Sequence, residues 1–337
     1  MVSEPMNPLK TTWPLLALLF AGCPDDDKAP RSAPPSPGQK SGGDPATTPA
    51  GETPSTDGAT QGSEHPRLLK WLDPDAVAVA YARTDKQLQA DVVAVIYALP
   101  PRAEDLLKGV SDVEHALDAV RPSDAPEIST WLSSEALATT GRFSRRPTVL
   151  RPLVGDRANA VAQLEAMGLE KTEIDVFEVW QPKRVFPYKV ALLEGDVAAF
   201  IPVTDPGSGV TPLAAARDMP PGDVRTQLDE LLSQPAGPSL ALLASGPMMH
   251  FDVDQPIIAV RFEMRKTAGG RLDGRMDLQL EEKPEDAVSA LLGRSAPEQN
   301  DRVQELMKRA AFAVEGSIVT GRLELPPADV ALLYEED

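Results

Sequence analysis

Residues 189–203 read KVALLEGDVAAFIPV and residues 309–325 read RAAFAVEGSIVTGRLEL. Each pairs two apolar runs around Glu-Gly followed by Asp or Ser: Glu194-Gly195-Asp196 in one, Glu315-Gly316-Ser317 in the other. Glycine reaches the positive φ that a tight turn demands, so both stretches predict a β-hairpin. What precedes them also matches. A strand-like TVLRPLV (148–154) leads into GDRANAVAQLEAMG (155–168), and RMDLQL (275–280) leads into EEKPEDAVSALLGR (281–294). Both second segments read as helices, with Asp156 as N-cap or Pro284 in the first turn, and each ends at a glycine, Gly168 or Gly293.

Further upstream the match continues. The alternating runs DAVAVAYA (75–82) and SLALLASG (239–246) each precede another hairpin. One is EALATTGRFSRRPTVLRPLV, turning near Arg145 to Pro147; the other is IIAVRFEMRKTAGGRLDGRMDLQL, turning at Ala268-Gly269-Gly270. DVFEVW (175–180) reads as one more strand, PIIAVRFEM (256–264) as the strand opening the second of those hairpins. The reading is α+β: two copies of a strand, hairpin, helix, hairpin unit with mostly antiparallel sheets. The first spans 66–206 and the second 207–337, with GSGVTPLAAARDMPPGD (207–223) as the link. The first copy alone carries a helical insertion, 84–120, in which Leu106, Val110, Val113, Leu117 and Val120 recur at spacings of four and three and share one face. Equivalence puts Leu164 and Leu291 at matching buried sites.

The phrases LDPDAVAVAY (72–81) and VTGRLELPPADVALL (319–333), with the strand-helix-hairpin repeats, resemble a group of secreted, often lipid-anchored bacterial domains of unknown function. The resemblance implies a fold and an envelope location and carries over no functional residue.

The amino terminus speaks to location. In WPLLALLFAGCPDDDK (13–28), about ten apolar or small residues run into the chain's single cysteine. Such a run is too short for a membrane-crossing helix, which needs about 20 residues, but suits a secretory signal. Phe20-Ala21-Gly22 before Cys23 resemble the lipobox of bacterial lipoproteins, although Phe20 stands where leucine is commoner. The resemblance implies cleavage between Gly22 and Cys23 and a diacylglyceryl group on the Cys23 thiol. Residues 1–22 are then a signal peptide, whose basic character is poor: Lys10 is offset by Glu4, and a start at Met6 rather than Met1 would remove Glu4.

Residues 24–65 contain no Val, Ile, Leu, Met, Phe, Trp or Tyr, so nothing in them can be buried to offset the entropy of ordering. With Cys23 they read as a lipidated, disordered Pro/Gly/Ser/Thr-rich tether, 23–65, spanning on the order of 35 to 40 Å as a coil. Asp25-Asp26-Asp27 have two readings. They resemble acidic signals that send some lipoproteins to the cell surface, and they equally suit a solvated linker.

The formal charge is −18. Three basic and seven acidic residues in the tether and a neutral signal leave −14 on the body. Nucleic acid is excluded as a partner, since phosphate binding needs a basic surface. Anionic headgroups are disfavoured too, so membrane contact falls to the lipid on Cys23.

Chemistry is sparse. A lone cysteine leaves no intrachain disulfide and no Cys-x-x-Cys metal or redox site. His-Glu-x-x-His, Gly-x-Ser-x-Gly, Walker A and Gly-x-Gly-x-x-Gly are all absent. FDVDQPIIAV (251–260) opens like a calcium loop at Asp252 and Asp254, but Pro256 and the apolar residues after it break the pattern. Of the three histidines, His65 reads as a solvated tether residue and His115 lies off the apolar stripe of its helix. His250 beside Met248 and Met249 offers soft ligands for copper(I), against the plainer reading of a loop packing methionines into the core. The carboxylate pairs Glu281-Glu282 and Glu335-Glu336 suit an acidic surface. The expectation is therefore no catalytic, cofactor-binding or metal site, and no enzyme. It is a lipid-anchored envelope protein at the outer membrane, on its periplasmic face or at the cell surface, acting as a noncatalytic binding or structural module for an unknown protein or glycan. Two alternatives stay open: a periplasmic carrier or chaperone for lipid or lipoprotein, which needs an apolar cavity, and an enzyme of unrecognised type, which needs polar residues with shifted pKa values in one pocket.

Overall fold

The alternating run at 75–82 forms strand β1 (Ala76–Arg83), and it lies in the middle of one antiparallel sheet. The computed structural model describes residues 65–83, 101–123, 125–141, 146–174, 176–182, 186–203, 209–234, 237–250, 253–267, 269–283 and 309–332. All belong to one compact unit, Thr60–Asp337. The remaining strands in chain order are β2 (Glu135–Gly141), β3 (Thr148–Pro152), β4 (Leu169–Ile174), β5 (Phe177–Pro182), β6 (Tyr188–Leu193), β7 (Val197–Pro202), β8 (Leu240–His250), β9 (Val253–Lys266), β10 (Leu272–Leu280), β11 (Ala311–Glu315) and β12 (Ile318–Leu325). Across the sheet they run β11-β12-β10-β9-β8-β1-β2-β3-β7-β6-β5-β4. Helices are α1 (His65–Leu69), α2 (Pro101–Val120), α3 (Arg157–Ala166), α4 (Thr211–Asp218), α5 (Asp223–Leu232) and α6 (Pro327–Leu332). The architecture is α+β.

Both faces of the central strands are buried. On one face Ala78 and Ala80 of β1 and Ala136 and Ala138 of β2 meet α2, whose stripe Leu106, Val110, Val113 and Leu117 is buried as its spacing predicts. Alanines there let the helix approach closely. On the opposite face Val79, Tyr81, Leu137 and Leu150 pack under Leu68 and Leu69 of α1, Leu213 of α4, and Leu228, Leu231 and Leu232 of α5.

Local chemistry sets the boundaries. Asp156 caps α3 by accepting from the Asn159 N–H at 2.8 Å, and Gly168 beyond its end takes φ 79°. The two signature hairpins both form, with glycine at positive φ, but their turns differ. Gly195 (φ 79°) and Asp196 (φ 57°) lie between paired Leu193 and Val197, whereas only Gly316 (φ 61°) and Ser317 separate paired Glu315 and Ile318. The second is the two-residue turn with glycine first.

Several expectations are corrected or extended. His65 opens α1 and is half-buried, because Leu68 and Leu69 just beyond it pull this end of the chain onto the sheet. Residues 248–250 continue strand β8, where a loop was expected, because β9 pairs back on them at Met248↔Ile257 and His250↔Val253. The linking stretch 207–223 carries α4, and α5 follows it. Of DVFEVW, residues Phe177 to Trp180 lie in β5, paired with an unexpected edge strand, β4. The second expected helix, Leu291 among it, lies outside the described residues, as do 84–100 of the insertion.

Candidate functional site

Two charged side chains are buried against the sheet. Arg151 sits on β3 beneath α2, where its guanidinium donates to Glu114 at 2.8 Å and, through Nε at 3.1 Å and through Nη2, to the Ser133 carbonyl. Burial lowers its affinity for the proton and Glu114 opposes this, so the pair acts as a pin between helix and sheet. On the other face Glu135 of β2 accepts from Arg83 of β1 at 3.1 and 3.2 Å, and its second oxygen is buried without a partner among the described residues. His65 lies within electrostatic reach of this pair and of Asp229 on α5; burial pushes its imidazole below the usual value. Arg157 at the start of α3 and Lys171 of β4 both hold Glu178 of β5. Hydrogen bonds from the two cations, Lys171 first, depress its carboxyl. These groups staple elements together; none places a nucleophile beside a base.

The face shared with α1, α4 and α5 changes character across β8. In the C-terminal half of the sheet the outward positions are charged: Arg261, Glu263 and Arg265 on β9, Asp273, Arg275 and Asp277 on β10, and Arg322 and Glu324 on β12. Of these Arg261, Arg275, Arg322 and Glu324 are exposed. Most pair along their own strand: Arg265 with Glu263 at 3.0 Å, and Arg275 with Asp277 at 3.0 Å. Asp277 also accepts from the Thr320 hydroxyl at 2.9 Å. Arg322 has no ion-pair partner among the described residues, and in the β10–β12 register it stands directly opposite Arg275. Like charges directly opposite across a ladder repel, and the same register also sets Asp273 opposite Glu324, so the ladder carries one basic and one acidic conflict side by side.

A depression of about 260 Å³ beside β6, β7 and the start of α4 is lined by Ile174, Lys189, Ile201, Val203 and Val210.

The sequence-derived candidates disperse. Cys23 and Gly22 lie outside the described residues, as do Asp252 and Glu335-Glu336. His115 is exposed on α2, and Glu281-Glu282 are exposed beyond β10. No group of three or more metal-ligating side chains occurs among the described residues, nor does a helix long and apolar enough to cross a membrane. The buried Arg151 was missed, although an arginine between Leu150 and Pro152 of an apolar strand was a signal that something must meet it.

No protein-family description matches the chain, and no curated protein matches it. Among solved structures, crystal form III of TP0453 aligns at 11% identity and a TM-score of 0.45, covering 78% of this chain and 96% of that one. Form I aligns at 11% and 0.42, covering 79% and 95%. Form IV aligns at 10% and 0.42, covering 78% and 95%.

Proposed function

We propose that the chain is a lipid-anchored envelope protein, held by an acylated Cys23, whose sheet presents a noncatalytic binding face to an acidic protein or glycan. The observation carrying the binding face is the juxtaposition of Arg275 and Arg322 on the exposed half of the sheet. A carboxylate seated there would accept paired hydrogen bonds from Arg322 and one from Nη1 of Arg275, whose Nε and Nη2 already serve Asp277, and would relieve the repulsion. The anchor rests on the signal-like segment and Cys23; the tether would let the body stand clear of the bilayer.

The body is further proposed to be two copies of one unit. The strand order supports this: outward from the β1–β8 contact it runs β1, β2, β3, β7, β6 on one side and β8, β9, β10, β12, β11 on the other. The hairpin β4–β5 is then an addition to the first copy. One copy keeps its face apolar under three helices, while the other carries the charged ladder.

Two measurements test the proposal. Cys23→Ser should move the protein from the membrane to the soluble fraction, and retention after a high-salt wash would refute the anchor. A photo-crosslinking side chain at position 322 should give a discrete adduct in intact cells, lost on Arg275→Glu. No adduct, or one indifferent to Arg275→Glu, would refute the binding face.

A further inference from the structure

The two edges of the sheet are unlike. At one end β4, LEKTEI, exposes Glu170, Lys171 and Glu173, the charges by which edge strands resist pairing with other chains. At the other end β11, AFAVE, has no lysine, no proline and no bulge before Glu315. Ala311, Ala313 and Glu315 are exposed and Val314 is 39% exposed, while no strand among the described residues pairs with the outer side of β11.

The register says which backbone groups are on offer. Glu315 and Ile318 flank a two-residue turn and form a hydrogen-bonded pair, so Ala311, Ala313 and Glu315 direct their N–H and C=O groups to β12. Phe312 and Val314 therefore direct theirs outward, as does the position of Ala310. Phe312 is held in place by Gly321 opposite it, where a Cβ would lie 2.9 Å from the ring.

We propose that this edge pairs antiparallel with the same edge of a second copy of the chain, continuing the sheet across a two-fold axis at Phe312. The charges select that occupant and that register. Basic Arg309 precedes the strand and acidic Glu315 ends it, so two antiparallel copies set Arg309 opposite Glu315 twice. The same register joins Phe312 to Phe312 and Ala310 to Val314, using the outward groups and no others. Arg309 also pairs with Asp329 of α6, which fixes its side chain beside the edge. Glu315 has no ion-pair partner among the described residues. This inference goes beyond the proposed binding face and stands whether or not Cys23 is acylated.

The register is tested with thiols in the full chain carrying Cys23→Ser. Ala311 of one copy faces Ala313 of the other as a non-hydrogen-bonded pair at about 4.5 Å between Cα atoms, within disulfide reach. Identical positions are about 7 to 8 Å apart on the diagonal, too far. Ala311→Cys mixed with Ala313→Cys should therefore form a disulfide-linked dimer under mild oxidation, and neither alone should. A failure of the mixture to link, or efficient linking of either variant alone, would overturn the proposal. Sedimentation of the unmodified full chain should give a dimer mass. Val314→Pro, which removes an outward N–H and no β12 bond, should give a monomer with unchanged circular dichroism. A wild-type monomer at every concentration, or a dimer indifferent to a folded Val314→Pro, would equally overturn it.

Discussion

Arg151, only 3% exposed on β3, donates to Glu114 of α2 at 2.8 Å, so the longest helix among the described residues is fastened to the sheet by a charge that water hardly reaches. Removing Glu114 strands that charge with the Ser133 carbonyl alone. Glu114 is itself 36% exposed, so water softens the loss, and Glu114→Ala should cost about 1–3 kcal/mol by urea denaturation rather than the full penalty of a wholly buried pair. The double variant Arg151→Met, Glu114→Leu should recover much of it, because an apolar pair needs no solvation.

Gly222 caps α5 at φ −75°, an ordinary conformation, yet a Cβ there would lie 2.2 Å from the Pro74 carbonyl oxygen. The neighbour is backbone and cannot swing away. Gly222→Ala should cost about 1–3 kcal/mol through this contact alone. Gly155, at φ 78° with open space around it, should cost about 1 kcal/mol on change to alanine, and less on change to asparagine, which tolerates the left-handed region.

The hairpin turns give a test of the two-copy reading. Gly195→Val and Gly316→Val each force a β-branched residue to positive φ and should each cost about 1 kcal/mol or more. Asp196, also left-handed, should accept Asn or Gly without loss. Leu164→Ala, at a fully buried site on α3, should cost roughly 2–5 kcal/mol, and Leu291→Ala should match it. A harmless Gly195→Val beside an unfolded Gly316→Val would break the equivalence.

What was legible followed physical signal strength. The stripe from Leu106 to Leu117 spans about three turns, and Gly195 and Gly316 each sit between strong apolar runs. The strand β4 was not legible because Glu170, Lys171 and Glu173 dilute its pattern, which is what a solvated edge requires. The helix α1 hid because five residues cannot show a period, whereas α5, DVRTQLDELL, carries a readable stripe in Val224, Leu228, Leu231 and Leu232 at spacings of four, three and one. The opposition of Arg275 and Arg322 depends on the pairing of strands far apart in the chain, which no local pattern encodes. Residue types alone named neither the charged face nor the outer side of β11, which no strand among the described residues pairs.

His65 supplies a pH dependence. Burial depresses its imidazole, opposed by Asp229 and Glu135, so the folded chain holds the proton less firmly than the unfolded chain does at about 6.5. The contribution is complete above pH 6.5 and shrinks as pH falls from there through the folded value. Urea midpoints should therefore decline on the acid side of 6.5, and His65→Gln should flatten that part of the curve. An unchanged slope in His65→Gln would assign it to other groups.

The meeting of β1 with β8 has a consequence for the ribosome. Ser245 and Val77 touch across a separation of 168 positions, so the central seam joins segments made far apart in time. At about 5–20 residues per second, roughly 10 to 30 s pass between synthesis of the two. Throughout that interval β1, with Val79 and Tyr81 along it, has at most β2 beside it, and the side that β8 will take stays open. The nascent N-terminal half thus spends its youth with its central strand as an open margin, and whatever shelters that margin decides how much of the chain reaches the folded state.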